Sequence, residues 1–194
     1  MIIKNQINRQ IFGEDSTKSI SLKNFMAGFV AGTTGKKGIM TMEQAQQIAQ
    51  TKMAAVKAKN MEKQYGPNKT AGEKFLAANK TKAGVKTLPS GVQYKVIKEG
   101  NGPMPKDTSM VKVNYEGRTI EGKVFDSSYK RGEPLELRAN QVIKGWTDAL
   151  VHMPVGSVWE VYIPQELAYG EREQGDIKPF SALIFKIELI SAGK

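Results

Sequence analysis

The 194-residue chain reads as an α+β protein: an N-terminal all-helical part with a long linking helix, then an antiparallel sheet wrapped over a short helix. Three observations predict this. Basic charge is confined to the first part: residues 1–88 hold 15 Lys and Arg against 5 Asp and Glu, whereas 89–194 hold 14 of each kind, so the whole net charge of +10 precedes Pro89. Composition changes at the same place, from Ala, Lys, Gln and Met before it to aromatic and β-branched residues after it. The spacing of apolar residues also switches there, from three or four to two. A helical domain at 1–88 and a β-rich domain at 89–194 are expected.

In the first part, Leu22, Phe25, Met26, Phe29 and Val30 recur on one face of a short amphipathic helix. It opens near Ser19 or Ser21, and Gly32 and Gly35 close it. Thr41 with Gln44 three residues on is a capping box. It starts a long helix whose apolar positions Met42, Ala45, Ala49, Met53 and Val56 step by three or four. Run unbroken to Asn79, this helix would span ~55 Å at 1.5 Å per residue. Gly66-Pro67 is expected to interrupt or kink it. A stripe this narrow on so long a helix calls for a packing partner, either a folded-back helix or a second subunit.

The second part alternates. Val92, Tyr94 and Val96, then Val111, Val113 and Tyr115, then Trp159, Val161 and Ile163 mark strands with one buried face. Ala182 to Ile190 is a longer, nearly continuous apolar strand. Gly145 to His152 has room for about two helical turns before Pro154.

Several chemistries are excluded. With no cysteine there is no disulfide, thiolate metal site or thiol nucleophile. His152 is the sole histidine, so neither a multi-histidine metal centre nor a paired-histidine scheme is available; it is read as a packing or solvent-edge residue. No phosphate-cradling glycine loop or paired carboxylates occur in the β-rich part. No run of about 18 apolar residues exists to span a membrane. The opening Met1-Ile2-Ile3-Lys4 is too short for a signal-peptide core, so no export signal is expected in the chain. The lysines read as a solvated helix face, because nucleic-acid binding would add arginine clusters and interleaved aromatics. What remains is a set of aromatic and branched residues beside few polar ones, which suits an apolar pocket with sparse anchors.

Five motifs, in order, carry a resemblance. Val113-Asn114-Tyr115-Glu116-Gly117, Gly122 to Ser128 around Phe125-Asp126, Gln141-Val142-Ile143-Lys144-Gly145-Trp146, Ile163 to Gly170 ending Ala168-Tyr169-Gly170, and Leu183-Ile184-Phe185 closely resemble the FKBP-type peptidyl-prolyl cis-trans isomerases. Upstream, Phe75 to Asn79, Gly84-Val85 and Leu88 to Tyr94 resemble the junction of the Mip-like bacterial branch, where a helical dimerisation domain precedes the isomerase.

The resemblance implies rotation of X-Pro bonds in protein folding, without cofactor or metal. It implies Trp146 as the floor under the proline ring, with Tyr115, Phe125, Val142, Ile143 and Phe185 as walls, Ile143 also offering its backbone N–H. Asp126 and Tyr169 are the implied catalytic pair: Asp126 orients Tyr115 and faces the twisting carbonyl, and Tyr169 donates its hydroxyl to a substrate carbonyl. Ile177 closes the rim. Leu135 stands on the wall where the family has Phe, Lys178 replaces a proline of the usual Ile-Pro-Pro, and the loop 171–176 is charged. The family's first helix is expected to be shortened, with Met1 inside the domain. The implied partners are proline-containing unfolded or partly folded polypeptides, macrolides such as rapamycin, and a second copy joined through the helical domain. The implied place is the periplasm or cell envelope, with the cytoplasm as the alternative. The alternative function is a holdase-type chaperone or peptide-binding module with weak or no turnover.

Overall fold

The computed structural model describes residues 21–35 and 41–193. Two compact units divide the chain, Met1–Gln64 and Tyr65–Lys194. The alternative start at Ser19, the expected shortening of the family's first helix toward Met1, and the side chains of Leu22, Phe25, Phe29, Met42 and Ala45 lie outside the described residues.

In the first unit, α1 (Leu22–Thr33) is capped by Ser21, whose hydroxyl accepts from the Asn24 N–H at 3.4 Å. The helix passes through Gly32 and stops where the Thr34 N–H and hydroxyl both turn back to the Val30 carbonyl. The Thr41–Gln44 capping box forms in both directions, at 2.9 and 3.2 Å, and opens α2 (Met42–Asn79). Met26, Val30, Ile48 and Met53 are 46–50% exposed.

The expected break at Gly66-Pro67 is not seen: α2 is helical through Pro67. A proline forces its predecessor out of helical geometry chiefly through that residue's Cβ, and Gly66 has none.

The compact unit that holds the sheet begins at Tyr65, earlier than the compositional change at Pro89. The last turns of α2 pack on the sheet. Phe75 meets Tyr162 with ring centroids 6.0 Å apart, and Gly72 leaves room for Ala182. The fully buried Asn79 donates to the Gln93 side chain at 3.0 Å, while Gln93 donates to the Leu76 carbonyl at 2.9 Å. Local composition still looks helical there, whereas compactness follows tertiary contact.

The sheet contains β1 (Val85–Thr87), β2 (Gln93–Lys98), β3 (Met110–Thr119), β4 (Val124–Ser127), β5 (Leu135–Arg138), β6 (Val158–Ile163) and β7 (Leu183–Ala192). All pairings are antiparallel, in the order β1-β2-β6-β7-β3-β4, and β5 also pairs with β3. Alternation along β3 buries Val111, Val113 and Tyr115, and that along β6 buries Trp159, Val161 and Ile163. These residues join Leu183, Ile187 and Leu189 of β7 in one core with Leu150 and Met153. Two short helices complete the unit, α3 (Ser128–Arg131) and α4 (Lys144–Val151). The sheet wraps over α4, as the sequence predicts. Gly145 makes that close approach possible, since a methyl group there would sit 2.3 Å from Ile163 Cγ2. His152 ends α4 at the solvent edge, its Nδ1 2.8 Å from the Asp148 carbonyl.

Candidate active site

All ten residues singled out above line one cavity of about 840 Å³, a volume typical of small-ligand sites. They arrive from the sheet, α4 and two loops.

Trp146 sits in the first turn of α4, its N–H bonded to the Ile143 carbonyl at 2.9 Å. Ile143 caps this helix without a side-chain bond, and its own N–H engages no acceptor among the described residues. The indole is buried and meets two rings edge-on: Tyr115 at 5.0 Å and Phe185 at 5.3 Å between centroids. Phe125 meets Phe185 in the same manner at 5.6 Å. Four rings therefore form an aromatic box. Gly117 on β3 is required for it, because a methyl there would lie 2.6 Å from the Phe125 ring and 2.7 Å from that of Phe185. Val142 and Ile143 line the cavity just before α4, and Leu135 lines it from β5. Ile177 is buried at the rim rather than projecting from it.

The polar residues form a small network. The Tyr115 hydroxyl donates to Asp126 Oδ2 at 2.5 Å. Asp126 Oδ1 takes an ion pair from Arg131, whose second nitrogen donates to the Tyr115 hydroxyl at 2.9 Å. Local structure sets this up. Ser127 caps α3 and accepts from the Lys130 N–H, Gly132 closes the turn in the left-handed region at φ 79°, and Ser128 accepts from the Tyr115 N–H at 2.8 Å. Arg131 is thereby folded back on Asp126. Motif reading missed Arg131, and only the spacing Asp126-x4-Arg131 would have pointed to it. Burial, reinforced by the Asp126 hydrogen bond and partly offset by Arg131, raises the Tyr115 pKa, so the phenol stays protonated.

Tyr169 stands at the opposite wall with a hydroxyl that makes no hydrogen bond among the described residues. Burial and then the Asp126 charge raise its pKa against a smaller opposing effect of Arg172, so it too is a proton donor. The loop beyond it is tied at its ends by the Phe180 N–H to the Gly170 carbonyl at 2.7 Å. Inside it, Gln174 and Ile177 exchange two backbone hydrogen bonds of 3.0 and 2.9 Å. Ile177 is held in place by that turn. The site thus combines a buried aromatic floor, whose Trp146 indole N–H has no partner among the described residues, with two further unengaged donors, the Ile143 N–H and the Tyr169 hydroxyl. Its lining holds no serine, threonine, cysteine or histidine, an arrangement suited to conformational rather than covalent chemistry.

Comparison with known proteins agrees with this chemistry. The family model for FKBP-type peptidyl-prolyl cis-trans isomerase matches residues 102–190, and that for the domain amino terminal to it matches residues 2–96. The chain is 45% identical over 171 residues to an outer membrane protein MIP of Legionella longbeachae, covering 86% of this chain and 73% of that one. It is 56% identical over 121 residues to the peptidyl-prolyl cis-trans isomerase Mip of Coxiella burnetii, covering 62% and 53% respectively. The crystal structure of FkpA from Escherichia coli superposes with a TM-score of 0.67 at 34% identity, covering 98% of this chain and 89% of that chain.

The fold is that of a peptidyl-prolyl cis-trans isomerase. The chain belongs to the FKBP-type isomerases, in the bacterial branch similar to Mip and FkpA that carries an amino-terminal domain. No helix among the described residues is long and apolar enough to cross a membrane.

Proposed function

We propose that the cavity binds the proline of an X-Pro segment in a polypeptide, its ring on Trp146 and its amide between the Ile143 N–H and the Tyr169 hydroxyl. The aromatic box beside two donors with no internal partner carries this reading. Resonance keeps the amide planar behind a barrier of ~18–20 kcal/mol. Rotation requires no bond to break, so a catalyst need only favour the twisted form. A dry, aromatic pocket disfavours the charge-separated planar amide, and the two donors fix the flanking carbonyls while the C–N bond turns. Asp126, held by Tyr115 and Arg131, faces the twisting carbonyl with a fixed charge. Leu135 leaves the wall less aromatic than a phenylalanine would.

The boundary at Leu88/Pro89 is kept as a functional one: residues 89–194 supply the catalytic fold and 1–88 the association surface. The half-exposed Met26, Val30 and Met53 favour a homodimer through the helical part, since apolar residues on a solvated helix gain from a partner. Placement in the cell envelope is favoured by similarity to a protein described as an outer membrane protein.

The test is catalysed isomerisation of a short X-Pro peptide, with rapamycin as competitor. Tyr169→Phe, which keeps the ring and removes one neutral hydrogen bond, is expected to lower kcat/KM about tenfold with unchanged far-UV dichroism. Asp126→Ala is expected to lower it as well. Full activity in both folded variants would refute the site, and absent turnover in folded wild type would favour the holdase reading.

A further inference from the structure

The charged loop after Tyr169 turns one cation, Arg172, and one anion, Asp176, toward the cavity, and only the anion is paired. Among the groups lining or flanking the site, Asp126 is paired with Arg131, Asp176 with Lys123 at 3.1 Å, and Glu173 with Lys178. Arg172 and Lys144 also line the cavity, and neither has an ion pair or side-chain hydrogen bond among the described residues. The opposing charges are Glu166, whose carboxylate accepts from the Gln165 side chain at 2.6 Å, and the exposed Glu171, which precedes Arg172 but does not line the cavity. The unpaired cations stand beside the two donors of the site. Lys144 follows Ile143 in the chain, and the Arg172 N–H bonds to the Tyr169 carbonyl at 3.1 Å, one turn from the phenol. Because the loop ends are pinned and Ile177 is buried, Arg172 is presented from a fixed base.

We propose that Arg172, with Lys144 as a second cation lining the cavity, selects for X-Pro segments with an acidic side chain next to the proline and against those with a basic one. This deepens the reading of the cavity as an X-Pro site and rests on it. A peptide seated between the Ile143 N–H and the Tyr169 hydroxyl carries its flanking side chains out toward the rim, where these cations stand. A carboxylate there gains a partner that no group of the chain already occupies. An ammonium meets a like charge. The Arg172 charge opposes the rise in the Tyr169 pKa, which places it within electrostatic reach of the phenol, where the Asp126 charge acts more strongly. Partial exposure keeps the effect modest and sensitive to salt.

The experiment measures kcat/KM of the full chain for peptides with Glu, Gln or Lys at each position flanking proline, one position at a time, at low salt. Glu and Gln are nearly isosteric, so their ratio isolates charge. At one flanking position the Glu-to-Lys ratio is expected to fall about three- to fivefold in Arg172→Gln, to fall further in Arg172→Glu, and to be retained in Arg172→Lys. The shift should shrink in 0.5 M NaCl. Lys144→Gln provides an independent second variant. A ratio unmoved by Arg172→Glu at both positions, in enzyme that still turns over the Gln peptides, overturns the inference and leaves the proline-site reading intact. Wild type that turns over none of the peptides overturns both.

Discussion

Arg131 shows how much of this site depends on one side chain outside the aromatic box. It touches Asp126 and the Tyr115 hydroxyl at once and lies over the Tyr115 ring, 5.4 Å from its centroid. The Arg131 and Asp126 side chains are 41% and 43% exposed, so water screens the pair and its contribution to stability is small. Its work is positional. Arg131→Gln is expected to lower kcat/KM severalfold while the urea midpoint stays nearly constant. Arg131→Lys should recover only part of the loss, since an ammonium cannot reproduce the fork onto two oxygens. A fall in stability matching the fall in turnover would show a structural role instead. The residue was illegible in sequence for a physical reason: it ends the run Tyr129-Lys130-Arg131, which reads as solvated surface until α3 turns it back on β4. Trp146, Tyr169 and Asp126 were legible because they sit in ordered motifs. Taken singly, each would equally suit an ordinary core or turn residue.

At the scale of elements, the sheet carries its own ionic link. Arg118 of β3 and Tyr162 of β6 both hold Glu160, the tyrosine donating at 2.5 Å. Burial pushes the Glu160 carboxyl up, but the Tyr162 hydroxyl, Arg118 and Lys95 together outweigh it, and its pKa falls below the ordinary 4.5. A depressed carboxyl stabilises the fold above its unfolded pKa, and this contribution is lost as pH falls through the lower folded value. Urea midpoints measured from pH 6 to pH 3 are therefore expected to decline with acid, and Glu160→Gln should flatten part of that decline. An unchanged slope would remove Glu160 from the acid response. Strands β3 and β6 were readable from alternation because each is long enough to show a period, and β7 from its nearly continuous apolar run. The four-residue β4 and β5 are not, since their extended state is imposed by pairing with β3. Pro67 does not interrupt α2 for the converse reason: the residue before it, Gly66, has no Cβ to clash with the proline ring.

For the molecule as a whole, charge and compactness divide the chain at different places. The basic excess ends near Pro89, while the unit that holds the cavity starts at Tyr65. A fragment starting at Pro89 would lose Asn79 and Phe75, leaving Gln93 and Tyr162 without the partners that cover them. Residues 65–194 are therefore the better catalytic fragment. They are expected to sediment as a monomer with short-peptide turnover close to that of the full chain, while residues 1–194 sediment as a dimer that Met53→Glu weakens. A monomeric full chain would remove the helical part as a dimerisation device, and an inactive 65–194 fragment would show that the cavity needs the first unit.

The two tryptophans are placed very differently. Trp159 is buried flat against Tyr94, 4.2 Å between ring centroids and 13° between planes, on strands away from the cavity. Both indole N–H groups lack a partner among the described residues, but only Trp146 lines the cavity. The protein consequently contains its own optical reporter. In Trp159→Phe a single indole remains, and its emission should move with the occupied fraction of the pocket. Addition of an X-Pro peptide or of rapamycin can then be followed by fluorescence, without a label and separately from turnover.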